Sequence, residues 1–179
     1  MYENSVFVTH FRIMMTKVYL LLGGNLGNKR DIFAQAKQLI SQQIGRVTGQ
    51  SAIYETEPWG FESSDLFWNQ VLEITTTLTP VEVLAQTQQI ENTLGRIRKS
   101  DQYVSRIIDI DILFIGDLVI QTEKLIIPHP RIQERRFALV PLCELVPALL
   151  HPVFEKTIEQ LLNDCPDKLN VEKVTEFEN

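Results

Sequence analysis

Hydrophobic and polar positions along this chain repeat with two periods, and these periods predict its strands and helices. Four runs rich in apolar and β-branched residues predict strands, at 17–22, 47–56, 67–77 and 106–114. Apolar positions at helical spacing predict helices at 29–43 and 79–94. Thr79 is the expected N-cap of the second helix, because Pro80 follows it and Glu82 completes a capping box.

The remaining patterns complete a simple order of elements. Turn-forming residues separate the strands in GGNLGN at 23–28, in EPWGFESSD at 57–65 and at Gly116-Asp117. A short strand is expected at 118–121, with helices at 137–145 and 157–162. The order strand–helix–strand–strand–helix–strand predicts an α+β fold with a ferredoxin-like βαββαβ core, an antiparallel sheet with helices packed on one face, and extra C-terminal elements.

Length and cysteine usage restrict the class of protein. A chain of 179 residues suffices for one domain with a real core, which we expect over 15–179. Residues 1–14 lack the features of a signal peptide and are interpreted as an N-terminal extension, either an upstream translation start or a disordered arm. No apolar run reaches the length of a membrane span, and two cysteines give little support to a disulfide framework. We therefore expect a cytoplasmic protein without a membrane partner.

Charge is distributed unevenly along the chain. The formal net charge of −6 at pH 7 argues against general nucleic-acid binding. Residues 95–106 reverse this sign, because they contain four basic residues and one acidic residue, a net charge of +3. Such a segment fits either a solvated charged turn or a binding site for a small anion.

Two carboxylates interrupt the apolar strand that follows this basic segment. Asp109 and Asp111 are two residues apart, so their side chains share one face of a strand with backbone positions about 6.6–6.8 Å apart. The strand alone also fits a half-exposed sheet, in which acidic side chains that face solvent alternate with apolar side chains that face the core. The adjacent basic segment favours a magnesium site, because Mg²⁺ binds a few carboxylates together with phosphate oxygens.

Three other features gain meaning only in combination. GGNLGN matches neither the P-loop nor the GxGxxG pattern, and by itself it predicts only a tight turn. Asn69 and His129 supply polar groups that could contact a ligand or fill structural roles. The aromatic side chains that could stack on a flat heterocycle, or pack in a core, are Trp59, Phe61, Phe67, Trp68 and Phe137.

Together these motifs resemble the 6-hydroxymethyl-7,8-dihydropterin pyrophosphokinase family of the folate pathway. The resemblance covers residues 16–162 and depends on the order and spacing of several segments. These are LGGNLGN, YETEPWG, FWNQVLEI, QQIENTLGRIRK, SRIIDIDILF and IPHPRIQERRFALVPL. It implies transfer of the β,γ-diphosphate of ATP to the hydroxymethyl group of 6-hydroxymethyl-7,8-dihydropterin, with release of AMP. It also implies two Mg²⁺ ions as cofactors, and we expect a monomer.

The resemblance implies a role for individual residues. The two magnesium ligands are Asp109 and Asp111, and the mobile catalytic arginines are Arg96 and Arg106. The ATP-binding residues are Gln88, Arg98, Ile112, His129 and Arg135. The pterin-binding residues are Thr56, Trp59, Phe67, Asn69 and Phe137, with the two phenylalanines on either side of the ring. Glu91 falls near the nucleotide.

This chain departs from the family pattern at several positions. Val104-Ser105 precedes Arg106 where Gly-Pro is frequent, which leaves the geometry of the basic loop open. Glu57 replaces a frequent proline, and Phe67 replaces a frequent tyrosine. Two other hypotheses use some of the same residues: a nucleotidyltransferase that releases pyrophosphate, and a non-enzymatic ferredoxin-like module that binds a small ligand.

Overall fold

The structure is a computed structural model that describes residues 15–59, 65–95 and 105–175. A short 3₁₀ helix, Ile132–Glu134, precedes the third α-helix. In chain order the other elements are β1 (Thr16–Gly24), α1 (Lys29–Gln43), β2 (Arg46–Gln50), β3 (Tyr54–Thr56), β4 (Phe67–Thr76), α2 (Pro80–Thr93), β5 (Asp109–Ile115), β6 (Ile120–Gln121), β7 (Ile126–Ile127), α3 (Arg136–Leu145), α4 (Ile158–Asp164) and β8 (Val171–Lys173).

The main sheet has the predicted ferredoxin-like arrangement. Its strand order is β5-β1-β4-β3-β8, with β2 paired to the same edge of β4 as β3. Each strand pair in the described part of the chain is antiparallel. The strand order reflects two helical crossovers: α1 connects β1 to β2 past the position of β4, and α2 connects β4 to β5 past the position of β1. The predicted α+β fold is confirmed.

The prediction of one continuous strand at 47–56 is wrong. Ser51 separates β2 from β3 and is buried against β4. Its amide donates to Val71 O at 2.9 Å, and its hydroxyl accepts from Val71 N at 2.9 Å. Because the side chain thus supplies the hydrogen bond that a strand carbonyl would otherwise make, the backbone leaves the ladder there without an unpaired buried amide.

Helices cover both faces of the sheet, whereas the sequence pattern predicted helices on one face. Val18, Leu20 and Leu22 of β1 point to the core beneath α1 and α2. Tyr19 and Leu21 point the other way, where α3 and α4 bury their own apolar positions. The signal for this was present in β1, because a continuous apolar run is typical of a strand buried on both faces.

Helix ends follow the local sequence closely. The predicted capping box of α2 is confirmed: Glu82 N donates to Thr79 Oγ1, and Thr79 N donates to the Glu82 carboxylate at 2.7 Å. The C-terminal helices lie at or within two residues of their predicted bounds, while the strand expected at 118–121 is reduced to β6. No helix in the described ranges is both long and apolar enough to cross a membrane.

Candidate active site

The pairing of four strands brings the candidate residues onto one face of the sheet. Gly23 of β1 is paired with Asp109 of β5 on one side and with Asn69 of β4 on the other. Two residues earlier in β1, Leu21 is paired with Asp111. Since paired residues in an antiparallel sheet point to the same face, both aspartates share the face of Asn69, as predicted.

A cavity opens over these paired positions. Gly23 lies at its floor, between the aspartates and Asn69, and so contributes no side chain to the space above it. The lining residues are Leu21, Gly23, Thr56, Glu57, Trp59, Phe67, Asn69, Arg106, Asp109, Asp111, Arg135 and Phe137. Carboxylates and arginines line one part, and aromatic rings with an amide line the other. The cavity can therefore accept a ligand with an anionic group and a flat ring.

All five predicted pterin-binding residues line this cavity. Asn69 is buried and its amide donates to Thr56 Oγ1 at 3.1 Å, which fixes the orientation of both polar groups. The ring centroids of Trp59 and Phe137 are 6.2 Å apart and tilted by 60°. Phe67 lies on β4, two residues from Asn69 on the same face. These residues form an aromatic pocket with a polar inner edge, defined here as the ring pocket.

Each aspartate has an arginine partner. The Arg106 guanidinium donates to the Asp109 carboxylate, and Arg135 Nη1 donates to Asp111 Oδ2 at 3.4 Å. Burial and the nearby Asp109 carboxylate raise the pKa of Asp111 above its usual range, although Arg135 and Arg106 act in the opposite direction. Two carboxylates this close favour a bound cation, because a cation offsets their mutual repulsion.

His129 and Arg135 place two donors side by side. Arg131 N donates to His129 Nδ1 at 3.2 Å, and on this backbone contact we assign the imidazole proton to Nε2. Arg135 Nη1 lies 3.2 Å from that Nε2, and neither group can accept a hydrogen bond from the other in this tautomer. Burial and the charge of Arg135 lower the pKa of His129 to about 4, which keeps the ring neutral near pH 7. The two donors can converge on one anionic oxygen.

The glycine-rich turn has a role that its sequence did not predict. Asn25 in this turn accepts a hydrogen bond from Arg106 N at 2.8 Å through Oδ1 and donates to Ser105 Oγ at 3.0 Å through Nδ2. The amide of Asn25 also donates to Arg106 O at 3.0 Å. A Cβ added at Gly24 would lie 2.4 Å from Ile107 O, so only glycine permits this approach. The turn therefore holds the backbone that carries Arg106.

The structure explains the serine at position 105, because its hydroxyl accepts a hydrogen bond from the side-chain amide of Asn25. The signal that could have indicated this role was the asparagine itself, because a buried amide needs partners. Asn25 is 5% exposed. Val104, like the predicted residues Arg96 and Arg98, lies outside the described residues.

His129 contacts the lining residue Arg135 without lining the cavity itself, and three other residues assigned to the nucleotide are also absent from the lining. Ile112 is buried in the core between the sheet and α2, on the opposite face from Asp111. Gln88 is half-buried on α2. Glu91 on α2 is buried and accepts a hydrogen bond from Ile110 N at 2.8 Å, between the two aspartates along the chain. Their assignment as nucleotide contacts stays a prediction.

The sequence model of the 7,8-dihydro-6-hydroxymethylpterin-pyrophosphokinase (HPPK) family matches residues 19–147. The chain belongs to this family. It is 46% identical over 128 residues to the 2-amino-4-hydroxy-6-hydroxymethyldihydropteridine pyrophosphokinase of Bacillus subtilis, a match that covers 71% of this chain and 76% of that protein. The protein of the same name from Porphyromonas gingivalis is 42% identical over 141 residues, covering 77% of this chain and 95% of that protein.

A solved structure shows the same fold. The HPPK-DHPS protein of Plasmodium falciparum, in a triple mutant with SDX-DHP, matches this chain with a TM-score of 0.69 at 20% sequence identity. The match covers 86% of this chain and 45% of that one, so this chain spans less than half of the solved protein. Membership of the HPPK family makes the chain a pyrophosphokinase, as its sequence motifs implied.

Proposed function

We propose that this chain, a pyrophosphokinase of folate biosynthesis, transfers the β,γ-diphosphate of ATP to 6-hydroxymethyl-7,8-dihydropterin and releases AMP. The observation that carries the proposal is the pairing of Asp109 and Asn69 with the same residue, Gly23. It supports a ring in the ring pocket whose hydroxymethyl group lies next to a diphosphate at the aspartates. Holding two reactants in this way lowers the barrier by removing translational and rotational freedom beforehand.

The two carboxylates suit magnesium as the cofactor. Asp109 and Asp111 offer oxygen ligands from one face of β5, and Mg²⁺ is commonly held by one or two carboxylates together with substrate phosphates. We assign both residues as ligands of two Mg²⁺ ions. When bound, the ions would neutralise the triphosphate and polarise the bond that breaks. The metal charge would then replace Arg106 and Arg135 as the partner of the two carboxylates.

The ring pocket suits the pterin substrate. Phe67 and Phe137 supply faces for stacking, and the Thr56–Asn69 pair supplies hydrogen-bonding groups for the ring edge. Trp59 contacts Phe137 and lies 4.6 Å below the Arg131 guanidinium, so it limits how far the Phe137 ring can move. Burial of a matched polar edge gives selectivity, because a ring without the same donors would leave buried groups unpaired.

The basic residues suit the phosphates. His129 and Arg135 are assigned to ATP because their donors converge next to Asp111. Gln88, Arg98 and Ile112 are assigned to the nucleotide on the family resemblance. Arg106 is assigned to catalysis, because its guanidinium reaches Asp109 and lies 5.8 Å from the centre of the Phe67 ring.

The chemistry follows from these positions. The hydroxymethyl oxygen attacks the β-phosphorus, the bond from that phosphorus to the α-phosphate oxygen breaks, and AMP leaves with the bond electrons. Arg106, with Arg96 as its proposed companion, stabilises the negative charge on the leaving and bridging oxygens. The proton of the hydroxyl is released to solvent, since phosphoryl transfer depends mainly on positioning and electrostatics.

Product identification with matched aspartate variants tests this proposal. The chain is incubated with magnesium-ATP and 6-hydroxymethyl-7,8-dihydropterin, and the expected products are AMP and the pyrophosphorylated pterin. Asp109→Asn and Asp111→Asn should each lose at least about 100-fold in kcat. Asp117→Asn is the control, because this exposed aspartate lies in the turn just after β5. Unchanged magnesium-dependent turnover in both ligand variants would refute the metal assignment.

The proposal also covers location and assembly. A monomer in the cytoplasm fits a chain that acts on two small molecules, and it fits the free thiols of Cys143 and Cys165. Sedimentation equilibrium across a range of protein concentrations tests the assembly state. A stable dimer at low concentration would contradict it.

A further inference from the structure

The segment between α4 and β8 contacts the start of α3. Asp167 Oδ2 accepts a hydrogen bond from Arg136 N, the first amide of α3, at 3.1 Å. The two residues are 31 positions apart in the sequence. The contact joins the C-terminal part of the chain, beyond the 19–147 match to the HPPK family, to the part that lines the cavity.

This contact supplies a cap that the local sequence cannot. The first amides of a helix have no acceptor within the helix, and a side-chain oxygen just before the helix usually accepts one of them. In α3 that preceding residue is Arg135, whose guanidinium has only donors. Asp167 provides the missing oxygen, and its negative charge also interacts favourably with the positive end of the helix dipole.

Asp167 is itself held in position from both sides. Its Oδ1 accepts from Leu169 N at 2.9 Å, so both carboxylate oxygens have partners. Cys165, at the end of α4, is buried in the core beneath α3 and α4. On the other side, β8 pairs with β3, the strand that carries Thr56. The carboxylate is therefore presented to α3 by a segment that is anchored before and after it.

The start of α3 carries two residues of the cavity, one at the N-cap and one in the first turn. Arg135 pairs with Asp111, and Phe137 forms one wall of the ring pocket. We propose that Asp167 is a positioning residue that caps α3 from outside the helix and thereby holds Phe137 over the ring pocket. Its effect on pterin binding rests on the proposed function, whereas its effect on the helix does not.

Two measurements on the full chain test this role. Asp167→Ala is compared with Asp164→Ala, which removes a solvent-exposed ion pair with Lys156 at the end of α4 and should have little effect. Hydrogen exchange of the amides at 136–138 should be about fivefold faster in Asp167→Ala than in the parent, and unchanged in Asp164→Ala. The dissociation constant for 6-hydroxymethyl-7,8-dihydropterin should rise about threefold to tenfold, because fewer molecules have the first turn formed. Asp167→Asn, which keeps one acceptor oxygen, should lie between the parent and Asp167→Ala.

The results for these variants decide whether Asp167 positions Phe137 or has only a structural role. Lower thermal stability of Asp167→Ala, with unchanged exchange at 136–138 and pterin affinity within twofold of the parent, would overturn the proposal by leaving a purely structural role. If that variant does not fold, Asp167→Asn decides by the same two criteria. If the parent chain does not bind the pterin, the proposed function fails, while the exchange measurement still decides whether Asp167 caps α3.

Discussion

Replacing Asn25 by alanine should damage catalysis from outside the substrate cavity. The Asn25 side chain makes three hydrogen bonds: it accepts from Arg106 N at 2.8 Å and donates to Ser105 Oγ at 3.0 Å and Asp65 O at 3.3 Å. It is 5% exposed, so water cannot readily replace these contacts. Asn25→Ala would leave the backbone of Arg106 without the group that holds it next to Asp109.

The size of the effect follows from the number of contacts. A hydrogen bond contributes about 0.5–1.5 kcal/mol net, and an unsatisfied buried donor costs about 1–3 kcal/mol. Loss of all three contacts should lower the free energy of unfolding by about 2–4 kcal/mol. The Arg106 guanidinium should lose its fixed direction as well, and we expect kcat to fall by about 10-fold to 30-fold, less than removal of a charge-stabilising group costs.

Asn28 provides a matched control in the same turn. It is exposed and caps α1, where its side chain accepts from Asp31 N at 3.3 Å. Asn28→Ala should lower the free energy of unfolding by about 1 kcal/mol and leave kcat unchanged. Urea denaturation and steady-state kinetics, both at a temperature where each variant is folded, separate the two effects. A folded Asn25→Ala variant with kcat within twofold of the parent would refute the reasoning.

Three further predictions concern other parts of the molecule. Arg106→Ala should lower the single-turnover rate by about 100-fold with little change in ATP affinity, and weakened ATP binding alone would contradict its role. Asn69→Ala should raise KM for the pterin about tenfold without affecting KM for ATP, because only the ring edge loses its partner. Hydrogen bonds from Thr48 and neighbouring side chains hold the pKa of Glu73 below its ordinary value, although burial acts to raise it. The stabilisation is therefore complete above the ordinary carboxyl pKa and is lost as pH falls through the lowered one. Urea denaturation between about pH 5 and pH 3 should show a steeper loss for the parent than for Glu73→Gln.

Local patterns predicted the elements that form through local interactions. The capping box at Thr79 and the helix periods are short-range signals, and both correspond to the observed α2. The two-residue spacing of Asp109 and Asp111 likewise placed them on one face of β5. These features could be predicted because the residues that determine them lie within a few positions of each other.

Long-range pairing accounts for what the sequence pattern missed. Ser51 ends β2 because of contacts with Val71, twenty positions away. β8 exists because residues 171–173 pair with β3 across more than a hundred positions. Neither partner can be identified from a local period, since three-residue strands carry almost no periodic signal.

The same distinction holds for the site. Its residue types and their order indicated a diphosphate and a flat ring, but their relative positions depend on strand register. Gly23 became informative only when it was found between Asp109 and Asn69. Asn25 reaches Arg106 across 81 positions, so its role could be found only from the folded chain.

The fate of each phosphate of ATP tests the central claim most directly. The chain is incubated with magnesium, 6-hydroxymethyl-7,8-dihydropterin and ATP that is radiolabelled at the α-, β- or γ-phosphate in separate reactions. Transfer of the diphosphate predicts that the β- and γ-labels move together to the pterin while the α-label remains in AMP. Transfer of the α-label to the pterin with release of pyrophosphate, or of the γ-label alone with release of ADP, would contradict the account.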